Sequence, residues 1–305
     1  MNSGTVILLE LVRVFGQLVQ QGWKPLRSIE FASWDGEEYN MIGSTEYVEE
    51  HIEDLRKNAI AYLNVDVGVT GDVFWANGSP ILERSLMRVL GRVSDPVRNS
   101  TIKSLWESES KGLGGLGSGS DYVAFQDLAG CSSIDMGFSG QGYPYHSCYE
   151  TFEWMDRYGD PGFVYHKVLA QVMALLLLDL ADEHLLGLDL NDYSSAAQSY
   201  LQELKRYVED TISKAGGGST EAEIKLDSLE DAVFLFNTRA FEFMNWEEYW
   251  VAAVYGSRKP ESTVLRDKRI DHNTRLSNFE SDLLDLPRGS EDEGPYGVSY
   301  FLCPK

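Results

Sequence analysis

Glu37, Glu38, Asp66 and His146 are the residues of this sequence whose types and spacing suit chemistry. The two glutamates follow Ser33-Trp34-Asp35-Gly36, where a turn breaks the short apolar run over residues 28–33. That run suits a buried strand better than a helix. A second strand-like run, Ile60-Ala61-Tyr62-Leu63-Asn64-Val65, again ends in an acid, Asp66. His146 closes the aromatic-rich turn Gly142-Tyr143-Pro144-Tyr145-His146. In open α/β sheets ligands bind at the carboxyl ends of strands, which is where both sets of acids fall. Carboxylate oxygens and an imidazole nitrogen are donors that zinc accepts. The spare glutamate can then act as general base on a metal-activated water. Adjacent glutamates are also common on solvated helix faces. That reading explains the Glu37-Glu38 pair alone, not the set of four.

Stepping outward to the elements, residues 4–21 carry Val6, Leu8, Leu11, Val12, Phe15, Leu18 and Val19 at helical spacing, with Ser3 as the expected N-cap and Gly22 as the stop. A helix feeding a buried strand implies an earlier strand, so the chain is expected to begin inside a fold. An acidic helix is expected over 45–57, and helical structure over 81–107 with a break at Pro96. Gly112 to Gly117 fits G-x-G-x-x-G, but the polar stretch before it is no strand and the βαβ setting is missing. It reads instead as a loop and tight turn before a helix over 121–128. Residues 128–136 read as a further strand. The helix expected over 162–186 is apolar on several faces and therefore buried, and His166 and His184 on it read as structural. Gly187 marks the expected domain boundary. Beyond it, helices are expected over 192–214, 227–251 and 269–284, with a flexible Gly216-Gly217-Gly218-Ser219 connection, as in a bundle. After Pro287 the pattern dissolves.

The chain has 305 residues, enough for one large domain or two smaller ones. Lys plus Arg number 26 against 48 Asp plus Glu, a net charge of -22. Such a field repels phosphate backbones and anionic lipid surfaces, so no nucleic-acid partner is expected. Cys131, Cys148 and Cys303 form neither a zinc-knuckle spacing nor a disulfide framework. The apolar run over 172–181 is interrupted by Asp179 and too short to span a bilayer, and no signal-peptide pattern opens the sequence, so no membrane segment is expected.

Several ordered motifs carry a resemblance: Phe31-Ala32-Ser33-Trp34-Asp35-Gly36-Glu37-Glu38, Ile42-Gly43-Ser44-Thr45-Glu46, Leu63-Asn64-Val65-Asp66, Leu116-Gly117-Ser118-Gly119-Ser120-Asp121 and Tyr145-His146-Ser147-Cys148-Tyr149-Glu150-Thr151. Over roughly residues 3–185 the chain resembles the glutamate carboxypeptidase II and transferrin-receptor-like family of co-catalytic zinc peptidases. The resemblance implies an α/β fold: a partial zinc exopeptidase domain over 1–186, with a mixed sheet flanked by helices. An all-helical dimerisation domain over 187–305, incomplete at its C-terminus, would follow. It implies two zinc ions per site, with Glu38 and His146 as ligands to one, Asp66 as ligand to the other and Glu37 as general base. Tyr145 would hydrogen-bond the developing oxyanion, and the turn Ser118-Gly119-Ser120 would line the peptide cleft. Glu46 and Glu49 match positions that hold a structural calcium in the family. The implied partners are a peptide substrate and a second copy in a homodimer. The family is typically membrane-anchored, with an extracellular or vacuolar catalytic domain.

Two departures qualify this. Where the glutamate-specific enzyme uses arginines to hold substrate carboxylates, this sequence reads Ile134-Asp135-Met136-Gly137, and Ala76 and Gly78 replace charged pocket residues. A preference for terminal glutamate is therefore not implied. The family's remaining histidine ligand and its bridging aspartate precede the match to Ser3-Gly4. The expectation is a chain truncated at its N-terminus that hydrolyses peptides negligibly as written. The alternative is a non-catalytic, receptor-like dimerisation protein.

Overall fold

Ile134, Met136 and Phe138 alternate along one strand and are almost wholly shielded from solvent, which makes that strand the centre of the sheet. The structure, a computed structural model, describes residues 2–109, 112–140, 142–214, 225–256 and 260–284. The described residues form two compact units, one running to Leu188 and resuming at Ile270, the other Asp189–Arg269.

In the first unit, helix α1 (Asn2–Gln20) buries Ile7, Leu11 and Phe15, a stripe at every fourth residue. Helix α2 (Ile42–Asn58) follows, then β1 (Tyr62–Asn64) and β2 (Val73–Gly78). Helices α3 (Glu83–Leu90) and α4 (Ile102–Glu109) precede the central β3 (Ser133–Ser139). The sheet is mixed, in the order β1-β3-β2. β1 runs parallel to β3 with Leu63 opposite Ile134, and β2 runs antiparallel with Ala76 opposite Met136. After the short α5 (Phe152–Trp154), helix α6 (Val164–Asp182) buries Val168, Leu169, Val172, Met173 and Leu176 against α1, α3 and β3. Each such side chain contributes about 1.5–3 kcal/mol by leaving water. By length and composition α1 and the helical stretch Pro161–Asp182 are long and apolar enough to cross a membrane; α6 uses that apolar surface in the core. Asp179, which interrupts the apolar run, is paired with Arg88 at 2.7 Å.

The second unit is helical throughout its described residues: α7 (Leu190–Lys214), α8 (Asp227–Met244), α9 (Trp246–Tyr255) and the start of α10 (Thr263–Ser277). α7 and α8 pack together through an edge-to-face Tyr193–Phe236 pair with ring centres 6.1 Å apart. A hydrogen bond from Asn237 Nδ2 to Ser194 Oγ (3.1 Å) and a Lys205–Glu230 ion pair (2.7 Å) add to this contact. The rest of α10 and α11 (Phe279–Asp282) belong to the first unit. There Glu280 is buried and accepts a hydrogen bond from Ser79 Oγ at 2.8 Å. Gly130, at φ +66°, lets α11 approach: a Cβ there would lie 2.4 Å from the Ser281 Cα.

Several expectations need correction. Residues 28–33 belong to no strand, because no described segment offers them a hydrogen-bonding ladder. Ser3 does not cap α1 from outside; it sits within the first turn, and its hydroxyl is engaged elsewhere. The helix expected over 227–251 breaks at Asn245 into α8 and α9. The segment beginning at Ile270 groups with the first unit, not with the helices before it. The Gly216–Ser219 connection and the tail after Pro287 lie outside the described residues.

Candidate active-site cleft

The turn carrying Glu37 and Glu38 is tightly prescribed. Gly36 (φ +68°) opens a single turn of 3-10 helix, Glu37–Tyr39, and Asn40 and Met41 follow with left-handed backbones of φ 74° and 56°. Glycine and asparagine accept that conformation readily; for methionine it is strained by about 1–3 kcal/mol. The chain closes because Gly43 N–H donates to Asp35 O at 2.9 Å, where a Cβ on Gly43 would stand 2.5 Å from that oxygen. Trp34 anchors the turn from beneath: its Nε1–H donates to the Tyr62 hydroxyl (3.0 Å), and its ring packs on Tyr47 and Phe125.

Opposite this turn stands His146, itself left-handed at φ 53°, with the Tyr145 ring stacked on it at 3.9 Å. His146 Nε2 lies 2.9 Å from Glu38 Oε1, and both side chains remain accessible to solvent. Glu37 sits beside them. Burial, then the charges of Asp66, Asp121 and Glu38, push its carboxyl above the usual range, and His146 partly opposes them. The Tyr145 hydroxyl is raised by burial and then by Glu38, Asp66 and Glu37, which places it in the same field. Asp66 follows β1 and Val65 and contributes to the rise of both Glu37 and Tyr145.

Two acids not foreseen from the sequence complete the cluster. Asp121 is raised by burial, against a 2.6 Å hydrogen bond from Ser44 Oγ, and further by Asp66. Asp135, on β3, is pushed up to about 6 by burial, against a 3.1 Å hydrogen bond from Asn64 Nδ2, and further by Asp66. Asp121 closes the Leu116–Asp121 motif and Asp135 lies in the arginine-free stretch Ile134–Gly137, so both positions were visible; what surrounds them was not. In the turn before Asp121, Ser118 and Gly119 are exposed, while Ser120 is buried and its Oγ accepts from Asn64 Nδ2 at 3.1 Å. Ala76 is buried on β2, and Gly78 is dictated by packing, since a Cβ there would meet Ile134 Cγ1 at 2.8 Å. Glu46 and Glu49 lie exposed on α2, one turn apart.

The donor set suits zinc in type: a carboxylate and an imidazole nitrogen in contact, within a field of further carboxylates. Among the described residues no three His, Cys, Asp or Glu side chains group closely enough to hold a metal ion. Glu38 and His146 therefore supply two donors at one point, and Asp66 stands apart from them.

The model for peptidase family M28 matches residues 2–160. A probable glutamate carboxypeptidase of Arthroderma benhamiae is 38% identical over 277 residues, covering 87% of this chain and 37% of the relative. The probable glutamate carboxypeptidase LAMP1 of Arabidopsis thaliana is 40% identical over 235 residues, covering 75% and 33%. Aminopeptidase NAALADL1 of Mus musculus is 37% identical over 222 residues, covering 66% and 30%. The chain thus spans about a third of the length of these curated relatives. With more than half its residues matched by the family model, the chain belongs to peptidase family M28, in its glutamate carboxypeptidase-like group.

Proposed function

We propose that this chain carries part of the centre of a zinc-dependent exopeptidase of carboxypeptidase type. The observation that carries the reading is the 2.9 Å contact of Glu38 with His146 beside a Glu37 whose carboxyl is raised. Glu38 and His146 would hold one zinc ion and Asp66 a second. When bound, zinc supplies Lewis acidity toward the scissile carbonyl and makes water a competent nucleophile at neutral pH. Glu37 takes the proton from the attacking water onto its carboxylate and delivers it to the leaving amine. A carboxyl raised above its usual range holds the proton more readily between the two transfers. Tyr145, with its hydroxyl kept protonated, donates to the oxyanion that develops on the substrate carbonyl.

Asp135 and the buried Ala76 offer no guanidinium to a substrate carboxylate, so the substrates we propose are peptides with apolar or mixed C-terminal residues rather than terminal glutamate. Two donors are one short of the three usual for a catalytic zinc. These 305 residues alone should therefore hold zinc weakly and turn over slowly. In the helical unit Phe234, Phe241, Trp246 and Tyr249 are exposed, which supports pairing with a second copy. Sedimentation of the chain and of Trp246→Glu tests that pairing.

The test of the site is zinc bound at equilibrium in dialysis against a fixed free zinc concentration. Zinc retained by the unaltered chain and lost in the double variant Glu38→Ala, His146→Ala supports the assignment. Retention in the double variant would overturn it.

A further inference from the structure

Ser3, His166 and Asp160 lie far apart in sequence yet form one buried chain of hydrogen bonds. Ser3 Oγ is 2.8 Å from His166 Nε2, and His166 Nδ1 is 2.7 Å from Asp160 Oδ2. The Asp160 carboxylate also accepts the backbone N–H groups of Tyr165 and His166, each at 2.9 Å. Burial alone would raise this carboxyl, but the His166 ring and those N–H groups hold it below its usual range. One tautomer satisfies the whole chain, and it is assigned from the network: Nδ1–H donates to Asp160 while Nε2 accepts from the Ser3 hydroxyl. Ser3 Oγ in turn accepts the Val69 backbone N–H at 2.9 Å.

The connectivity is that of a serine hydrolase triad, but the serine cannot act as one. Ser3 is only 6% exposed, and its oxygen is already committed to Val69. Its consequence is positional. The first turn of α1 lies directly on the segment after β1, so that a Cβ on Gly4 would stand 2.3 Å from the carbonyl oxygens of both Val65 and Asp66. Gly68, at φ +67°, faces back: a Cβ there would stand 2.7 Å from Ser3 Oγ. On its other side the same segment is held by β3, where Phe138 N–H donates to Gly68 O (2.8 Å) and Thr70 N–H to Phe138 O (2.7 Å).

We propose that Ser3, His166 and Asp160 are positioning residues: their hydrogen-bond chain locks α1 onto the turn over 65–69 and so fixes how Asp66 presents its carboxylate. The step from turn to metal rests on the proposed reading of Asp66; the lock on the turn does not. Because β3 holds the far side independently, removing Ser3 Oγ loosens one wall of the turn without dissolving it. Groups that orient a metal-binding residue in this way change metal affinity by roughly 10–100-fold.

The test uses the full chain and two readouts, hydrogen exchange at the Val69 amide and Zn²⁺ affinity by competition with a chromogenic chelator. In Ser3→Ala, Val69 should exchange roughly 10-fold faster, and Zn²⁺ should bind about 10-fold more weakly. Ser3→Thr, which keeps the hydroxyl, should restore both. His166→Gln breaks the chain at its middle and should reproduce the Val69 effect, which also serves if Ser3→Ala fails to fold. Unchanged exchange at Val69 overturns the proposal. So does faster exchange with unaltered Zn²⁺ affinity, or a loss that Ser3→Thr does not restore. If the unaltered chain takes up no Zn²⁺, the reading of the site fails instead. The lock then stands or falls on Val69 exchange alone.

Discussion

Three acids of the cleft and two of the scaffold behave in opposite ways. Glu37, Asp121 and Asp135 are all raised, by burial first and then by Asp66. The carboxylates of Asp95 and Asp160 are fully shielded from solvent, yet both are lowered. Burial is not the difference. Asp95 is closed upon by the Arg98 guanidinium and by two backbone N–H groups, and Asp160 by the His166 ring and two more. At these two positions the fold supplies counter-charge and donors. In the cleft it gathers acids and leaves them repelling one another, with His146 alone opposing the rise in Glu37. Local choices that cost stability and persist are expected at working sites, and on the proposed reading a bound zinc would offset the repulsion among these acids.

The largest effect expected from that contrast is on turnover. With metal loaded to equal content, Glu37→Gln should lower the initial rate on a dipeptide by about 10²–10⁴-fold, the contribution of a positioned general base. Asp95→Asn should leave the rate unchanged below its own melting temperature. Equal rates for Glu37→Gln and the unaltered chain would remove the cleft acids from the chemistry. The scaffold side of the contrast is tested by Asp160→Ala, which strands His166 and two N–H groups in the interior. Breaking a buried pair from one side typically removes about 3–5 kcal/mol, read here as a shifted urea midpoint. A loss below about 1 kcal/mol would mean that water replaces the carboxylate, and that the pairing is not what distinguishes the two classes.

Glu280 is a scaffold acid that departs from Asp95 and Asp160. It is buried in the scaffold with the Ser79 hydroxyl donating to it, and burial, only partly opposed by that bond, pushes its carboxyl up to about 7. An acid raised on folding favours the folded state fully below its unfolded value, near 4.3, and that advantage is lost as pH rises to about 7. Stability should therefore fall across this window by on the order of 4 kcal/mol at most. Glu280→Gln should flatten that part of the profile. A slope unchanged in the variant would assign it to other groups.

How much of this the sequence carried depends on the range of the interaction. α1, α2, β1, β3 and α6 were legible because apolar period and turn residues are local signals, and ordered motifs marked the site. The strand expected over 28–33 was not realised, since a strand is made by its neighbour and the sequence of one segment does not name that neighbour. The return of α10 and α11 to the first unit depends on Glu280 meeting Ser79, 201 positions away. Ser3 and His166, separated by 163 positions, read individually as a cap and as a core histidine. Asp121 and Asp135 were visible as acids, but their raised carboxyls arise from burial and from Asp66, which only the fold brings near.

The smallest effect, and the finest test of the contrast, lies at Asp95. Arg98 reaches its Oδ2 through Nε (3.2 Å) and Nη2 (3.0 Å), and Nη2 also donates to Asp72 O at 2.7 Å. Lysine keeps the charge but cannot present that fork. The N–H groups of Val97 and Arg98 would still donate to Oδ1 in Arg98→Lys, so the acid remains partly served. The expected destabilisation is about 1 kcal/mol, the net worth of a hydrogen bond or so. The sign of the pH effect follows from a carboxyl lowered on folding, by Arg98 and the backbone donors against burial. Its contribution is present above the unfolded value, near 3.9, and is lost as pH falls through the folded value. Arg98→Lys should shrink that acid-side loss, so that thermal melts of the two proteins converge as pH drops below about 4. Parallel curves at all pH values would show that the fork contributes packing rather than charge, and that the backbone donors alone hold Asp95 down.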